Sequence, residues 1–229
     1  VCIEIRRAAE AAKRRKKMSN AKNVTIQRQV KTARQSRMSA RYLTVTAMLS
    51  AVAFILMFLD FSVPVMPSFI KMDLSELPAL IGAFAMGPVC GVLVCLIKNI
   101  LHLFMTSTGG VGELSNFVLG VAFVLPAGLV YRHKKSKNSA ILGAFLGALC
   151  MALISFPSNL FVVYPIYETM MPLNVIIAAY QAIVPSVTEL WQCLLLFNVP
   201  FTFVKALLSV VITLLVYKKL SPILKGREF

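Results

Sequence analysis

The sequence predicts an all-α integral membrane protein: a six-transmembrane-helix bundle with N- and C-termini cytoplasmic and a first outer loop acting as lid. Three observations carry this. Hydrophobic residues make up 58% of the 229 and charged residues only 14%, with mean hydropathy +0.78. A soluble domain is nearer half apolar and about a quarter charged. The length suits about six helices of about 20 residues with short loops. Finally, six spans place three basic clusters on one side of the membrane: residues 1–41, the loop Arg132 to Lys137, and Lys218, Lys219, Lys225 and Arg227. That arrangement satisfies the positive-inside rule.

The net charge of +15 is unevenly spread. Residues 1–41 hold 13 Lys/Arg and 2 Asp/Glu (+11), and residues 42–229 hold 11 and 7 (+4). This divides the chain into a basic cytoplasmic arm (1–40), a membrane domain (41–220) and a basic cytoplasmic tail (221–229). The arm has no aromatic interleaving and directly precedes a hydrophobic span. It therefore reads as cytoplasmic retention with attraction to anionic lipid, not as a nucleic-acid site. Lys13 to Lys17, ahead of Met18, matches a translated purine-rich ribosome-binding site. Either Met18 is the true start and 1–17 is not translated, or the segment is a disordered basic tail. The five cysteines form no CxxC pair, and four lie in apolar sequence as small core residues.

The first span is expected from about Tyr42 to Leu59, with Ala47 and Ala51 forming a small-xxx-small face. Asp60 to Ser75 is an apolar loop punctuated by Pro64 and Pro67. Its composition makes it fold back on the bundle. The second span, Glu76 to Met86, covers only about 16 Å at 1.5 Å per residue, so the loop must enter the membrane shielded by protein. Gly87-Pro88 turns the chain into a third span ending near Met105. The fourth runs from about Glu113 to Tyr131, the fifth from near Ser139 to Pro157 or beyond, and the last from about Phe197 to Tyr217. Between Glu168 and Glu189 no residue is charged, but Pro172, Asn174, Gln181 and Pro185 argue against a span. A long, membrane-hugging outer loop is expected there. The GxxxG pairs Gly87/Gly91 and Gly143/Gly147 are expected to be internal packing contacts.

Polar groups inside a bilayer are costly and mark pathways or ligand sites. Lys98, Asn99 and His102 lie within the third span, Glu113, Ser115 and Asn116 at the mouth of the fourth, and Asn159 at the end of the fifth. Lys205 lies within the last span, and Asp73 and Glu76 in or beside the loop. All share the outer half of the membrane, which predicts a pocket open to the outside. Lys98 could equally pair with Glu113 or Glu76, and His102 reads as a satisfied interior histidine. There is no GxxxxGK[ST] phosphate loop, HExxH or GxSxG.

The run Phe69-Ile-Lys-Met-Asp-Leu-Ser-Glu-Leu-Pro-Ala-Leu-Ile, the Gly87-Pro-x-x-Gly91 turn and Ile97-Lys-Asn-Ile-Leu-His102 carry a resemblance. With them go Gly112-Glu-x-x-Ser-Asn-Phe-x-x-Gly120, Asn159-Leu-Phe-Val-Val-Tyr-Pro165 and Pro200-Phe-x-x-x-Lys205. Over about residues 41–220 the chain resembles the substrate-binding S component of energy-coupling factor (ECF) vitamin transporters, most of all the riboflavin-specific family. The resemblance implies a bacterial plasma-membrane protein that is not an enzyme and has no cofactor, with riboflavin as transported ligand. It implies a transmembrane coupling protein, met through Ala47 and Ala51, and two ABC-type ATPases as partners. It assigns the polar edge of the flavin to Asn159 and Lys205. The family usually has asparagine where this chain has Thr202, which leaves a related vitamin or precursor as the alternative. Met66, Phe69 and Tyr164 are placed against the ring and Glu113 and Asn116 at the tail, with Lys98 and Asn99 as further candidates. Two other classes stay open: a membrane enzyme using Glu113, Lys98 and His102, and a structural subunit without ligand.

Overall fold

The computed structural model describes residues 40–64, 66–67, 70–106, 109–169 and 172–225, with side chains to residue 217. Residues 1–39 of the expected arm, Met18 within them, Phe69, and residues 226–229 of the tail lie outside the described residues. The chain forms two compact units, Val1–Thr44 and Val45–Phe229. In the first, the described residues 40–44 form the opening helical turn of α1 (Ala40–Met57).

The second unit is almost entirely helical. After α1 come two short antiparallel strands, β1 (Phe61–Ser62) and β2 (Lys71–Met72), pairing Phe61 with Met72 and Ser62 with Lys71. The sequence had suggested only a loop here. An ion pair from Lys71 Nζ to Asp60 Oδ2, 2.9 Å, closes the base of the hairpin. Helices α2 (Glu76–Met86) and α3 (Pro88–Leu103) follow, then α4 (Val111–His133) and α5 (Lys137–Ser158). Among the described residues, four stretches are long and apolar enough to cross a bilayer: Ala40–Met57, Val111–His133, Lys137–Tyr167 and Leu190–Tyr217. Helices α2 and α3 are apolar but shorter.

Gly87 separates α2 from α3 for a backbone reason. Its φ of 110° belongs to the region that favours glycine. Its N–H closes α2 on the Ala83 carbonyl at 3.1 Å, and Pro88 then starts α3 at a position that needs no N–H donor. A Cβ on Gly87 would meet nothing within 4 Å, so this glycine makes a turn and not the packing contact expected of it. Its partner Gly91 does pack closely, as do Gly143 and Gly147. Cβ atoms there would lie 2.8 Å from the Ala79 carbonyl, 2.8 Å from that of Ala127 and 2.3 Å from that of Phe123. Helices α4 and α5 therefore approach backbone to backbone, the geometry small residues allow.

Beyond α5 the helix does not stop at Pro157. It widens into a π-turn (Asn159–Val163) and resumes as α6 (Tyr164–Tyr167). A nine-residue helix, α7 (Leu173–Gln181), lies in the expected long loop and is too short to span, at about 14 Å. After α8 (Leu190–Cys193) a second π-turn (Leu194–Asn198) leads into α9 (Val199–Lys225). The last helix thus starts earlier than Phe197 and runs beyond Tyr217. Pro165 and Pro200 each stand two residues past a π-turn. A proline inside a helix lacks an N–H and collides with the carbonyl four residues back, and a locally wider turn relieves both.

A buried apolar cluster holds this end of the unit together. It joins Met66 of the first loop to Val163 and Tyr164, to Ile176 and Tyr180 of α7, and to Cys193, Leu194 and Phe197 around the second π-turn. The first loop is thereby anchored over the segment that carries both π-turns. On α1, Val45, Thr46, Leu49, Ser50 and Ala53 are buried, whereas Ala47, Met48, Ala51 and Val52 are exposed.

Candidate functional site

A cavity of about 200 Å³ opens between β2, the start of α4 and the two π-turns. The hairpin side contributes Ile70, Lys71 and Asp73, and α4 contributes Gly112, Ser115, Asn116 and Leu119. The chain from α5 to α6 adds Met151, Asn159, Val163, Tyr164 and Tyr167, and the last helical stretch adds Asn198, Phe201, Thr202 and Lys205. Half of the lining residues are polar or charged and most of the rest are apolar or aromatic, so hydrogen-bonding groups converge beside apolar surface.

Local structure explains why these side chains converge. Asn159 opens the first π-turn and Asn198 closes the second. Such turns shift the helical register and recur at functional sites. Asn198, Thr202 and Lys205 are spaced i, i+4 and i+7, so they stand above one another on one helix face. Asn159, Asn198, Thr202 and Lys205 are nevertheless all buried, at 6–8% exposure.

Beneath the cavity lies a network of four charges. Lys205 Nζ is 2.8 Å from Asp73 Oδ2 and 3.4 Å from Glu76 Oε2. Lys98 Nζ donates to Ser75 Oγ and lies 3.2 Å from Glu76 Oε1. Asp73 Oδ1 accepts from the Ser75 N–H at 2.8 Å, which ties the loop to the start of α2. Among the described residues Glu76 Oε2 accepts no hydrogen bond, and the carboxylate is compensated by the Lys205 and Lys98 charges. Two ammonium and two carboxylate groups neutralise one another, the condition for burying charge at all. Burial acts to raise the Asp73 pKa, but the charges of Lys205 and then Lys98 outweigh it. They hold the carboxyl well below the usual carboxylate range.

The remaining candidates do not line the cavity. Lys98, fully buried, is committed to Ser75 and Glu76, so its sequence-level pairing with Glu76 is the one adopted. Asn99 turns its amide N–H to the Cys95 carbonyl at 2.7 Å, and its buried Oδ1 has no hydrogen-bond partner among the described residues. Glu113 accepts from Thr106 Oγ1 at 2.9 Å and lies 2.7 Å from His102 Nδ1, so it braces the turn between α3 and α4. Met66 packs in the apolar cluster beside Tyr164. Lys205, without a partner inside its own helix, finds two in residues more than 120 positions away.

Sequence reasoning passed over Asn198. It lines the cavity and accepts a 2.9 Å hydrogen bond from Tyr180, which in turn lies 2.7 Å from the Tyr164 hydroxyl. The available signal was the spacing to Lys205, two helical turns, together with Pro200 marking a disturbed helix.

Comparison with known proteins follows the same lines. Residues 41–217 match the family model described as ECF transporter, substrate-specific component. The chain is similar to the riboflavin transporter RibU of Staphylococcus aureus (strain TCH60), 31% identical over 185 residues, covering 81% of this chain and 92% of the relative. It is also similar to the riboflavin transporter FmnP of Bacillus subtilis (strain 168), 30% identical over 190 residues, with coverage of 81% and 94%. Among solved structures, the S component of a bacterial ECF transporter matches with a TM-score of 0.65 at 29% identity, over 82% of this chain and 99% of that one. The chain therefore belongs to the ECF transporter family, as a substrate-specific component embedded in the membrane.

Proposed function

We propose that this substrate-specific component captures riboflavin from outside the cell and delivers it to a transmembrane coupling protein driven by two ABC-type ATPases. The carrying observation is the cavity itself. Asn116, Asn159, Thr202 and Lys205, from three separate parts of the sequence, meet there among Leu119, Met151, Val163, Tyr164 and Phe201. Riboflavin has an apolar ring face, a polar ring edge and a hydroxylated tail. A pocket that sets convergent hydrogen-bonding side chains beside apolar and aromatic ones is the matching surface. The names of the two relatives point to the same ligand.

In this reading Asn159, Thr202 and Lys205 bind the ring edge, Tyr164 contacts the ring, and Asn116 faces the tail. Lys98, Asn99 and Glu113 support the surrounding helices. The bundle has six spans with both termini cytoplasmic in the plasma membrane of a bacterium. The first loop, held by Met66 and Asp73, is the lid. The exposed Ala47 and Ala51 of α1 form the surface for the coupling protein, where small side chains allow close helix approach.

Purification in detergent, absorbance in the flavin bands and mass spectrometry of the extract test the ligand directly. Copurified riboflavin, or quenching of its fluorescence on titration with ligand-free protein, is the expected result. A colourless protein that fails to quench added riboflavin overturns the reading.

A further inference from the structure

Asn198 is 7% exposed and lines the cavity, its Oδ1 is taken up by Tyr180, and Tyr164 lies beside its amide, so one of the two N–H groups of the NH2 end remains for a ligand. We propose that Asn198 contacts the ligand, donating a hydrogen bond to a ring-carbonyl oxygen of the flavin, and that Tyr180 is the positioning residue that turns its amide toward the cavity. This rests on the riboflavin reading and adds a contact to it.

The direction of the amide follows from counting protons. A tyrosine hydroxyl has one proton to donate. Tyr180 gives it to Asn198 Oδ1 at 2.9 Å, so in the 2.7 Å contact with Tyr164 the Tyr180 oxygen must accept. The relay therefore runs from Tyr164 to Tyr180 to Asn198 Oδ1; of the two amide N–H groups one reaches back to Tyr164 and the other is left for the cavity. Tyr180 cannot easily turn away. It is fully buried, and its ring packs 5.2 Å from that of Phe197 at 45°. Burial first, and then the neighbouring Tyr164, push its phenol up, so it remains a proton donor at neutral pH.

A ligand acceptor that reaches a cavity-lining donor adds a hydrogen bond that a ligand without that acceptor forgoes. The pyrimidine edge of a flavin offers two carbonyl acceptors flanking one N–H donor. Lys205 and Asn198 supply donors on one helix face, and the Thr202 hydroxyl between them can accept from the flavin N–H. A ligand lacking the carbonyl would forgo the bond from Asn198, which makes this residue a determinant of specificity.

The test is a fluorescence-quenching titration of the full chain in detergent with riboflavin and with analogues in which one ring carbonyl oxygen is replaced by sulfur, a weaker acceptor. Thermal unfolding runs in parallel. Asn198→Ala and Asn198→Asp are each expected to weaken riboflavin binding about tenfold or more, and Tyr180→Phe about threefold or more. Wild type is expected to discriminate against one thiocarbonyl analogue, and Asn198→Ala to lose that discrimination. Should Asn198→Ala fail to fold, the near-isosteric Asn198→Asp and Tyr180→Phe carry the same comparison.

Wild-type affinity in both Asn198 variants, beside a loss in Lys205→Ala, overturns the proposal and leaves the riboflavin reading standing. Retained affinity in Asn198→Asp alone means that the contact is an acceptor and overturns the donor assignment. Unchanged analogue discrimination removes the ring carbonyl as the partner. Wild-type affinity and discrimination in Tyr180→Phe remove the positioning role. Failure of wild type to bind riboflavin overturns the reading and this inference with it.

Discussion

Lys205 Nζ lies 2.8 Å from Asp73 Oδ2, joining α9 to the chain just past β2 across 132 positions of sequence. The same ammonium lines the cavity and lies 3.4 Å from Glu76 Oε2. One side chain thus links the loop, the start of α2 and the ligand space.

Removing that ammonium has two separable effects. Lys205→Ala leaves the buried carboxylates of Asp73 and Glu76 with less compensation, which costs about 3–5 kcal/mol when one partner of a buried pair is lost. It also weakens riboflavin binding about tenfold or more, the scale of a lost buried hydrogen bond. The double variant Lys205→Ala with Asp73→Asn is expected to regain part of the stability and none of the affinity. Thermal unfolding and flavin titration of the three proteins check this, and recovery of affinity in the double variant would contradict it.

The stability supplied by Asp73 has a defined pH window. Its carboxyl is held well below the usual range by Lys205 and Lys98 despite burial. A carboxyl with a depressed folded-state pKa stabilises above its unfolded value of about 3.9 and loses that contribution as pH falls through the folded value. The advantage of wild type over Asp73→Asn is therefore expected to be full at pH of about 5 and above, and to shrink only below about 4. Unfolding temperatures of the two proteins across that range decide it; a difference that vanishes between pH 7 and 6 would speak against the pair.

Asn99 separates cavity residues from structural ones. Its buried Oδ1 has no hydrogen-bond partner among the described residues, and it does not line the cavity. Asn99→Leu removes that unpaired acceptor at similar volume. Riboflavin affinity is expected to stay within about twofold of wild type, as for sites that do not interact. A tenfold loss in the titration would bring Asn99 back into the site.

The α4–α5 contact depends on the absence of a side chain. A Cβ at Gly147 would stand 2.3 Å from the Phe123 carbonyl, with backbone on the other side of the clash. Gly147→Ala is expected to destabilise by about 1–3 kcal/mol, the usual range for overpacking. It should lower the unfolding temperature in detergent more than the same change at Gly120, where the nearest obstacle is a cysteine side chain at 3.0 Å.

Much of the architecture was legible in the residues. The Gly87-Pro88 break, the limits of α2 and the long apolar stretches follow from local rules of helix termination and hydropathy. The expectation that Asn159, Thr202 and Lys205 share one space rested on the resemblance of their motifs to the family, not on any local rule. The assignments of Lys98, Asn99 and Glu113 stood on less. They share that polarity and depth, but depth along a helix does not say which way a side chain faces. Packing decides between the partners: Lys98 takes Glu76, one of the two its sequence offered, and Glu113 takes His102.

By itself the sequence determined that this chain is a membrane-embedded helical protein, because burying so many apolar side chains beside so few charges leaves no aqueous alternative. It also determined which polar residues interrupt the helices. Tertiary structure alone decided which of those residues neutralise one another and which face the cavity. The two π-turns rotate Asn159 and Asn198 by a fraction of a helical turn. Lys205, Asp73 and Glu76 meet only because helices distant in the chain pack side by side. The pairing is encoded in no local window, since it joins residues more than 100 positions apart.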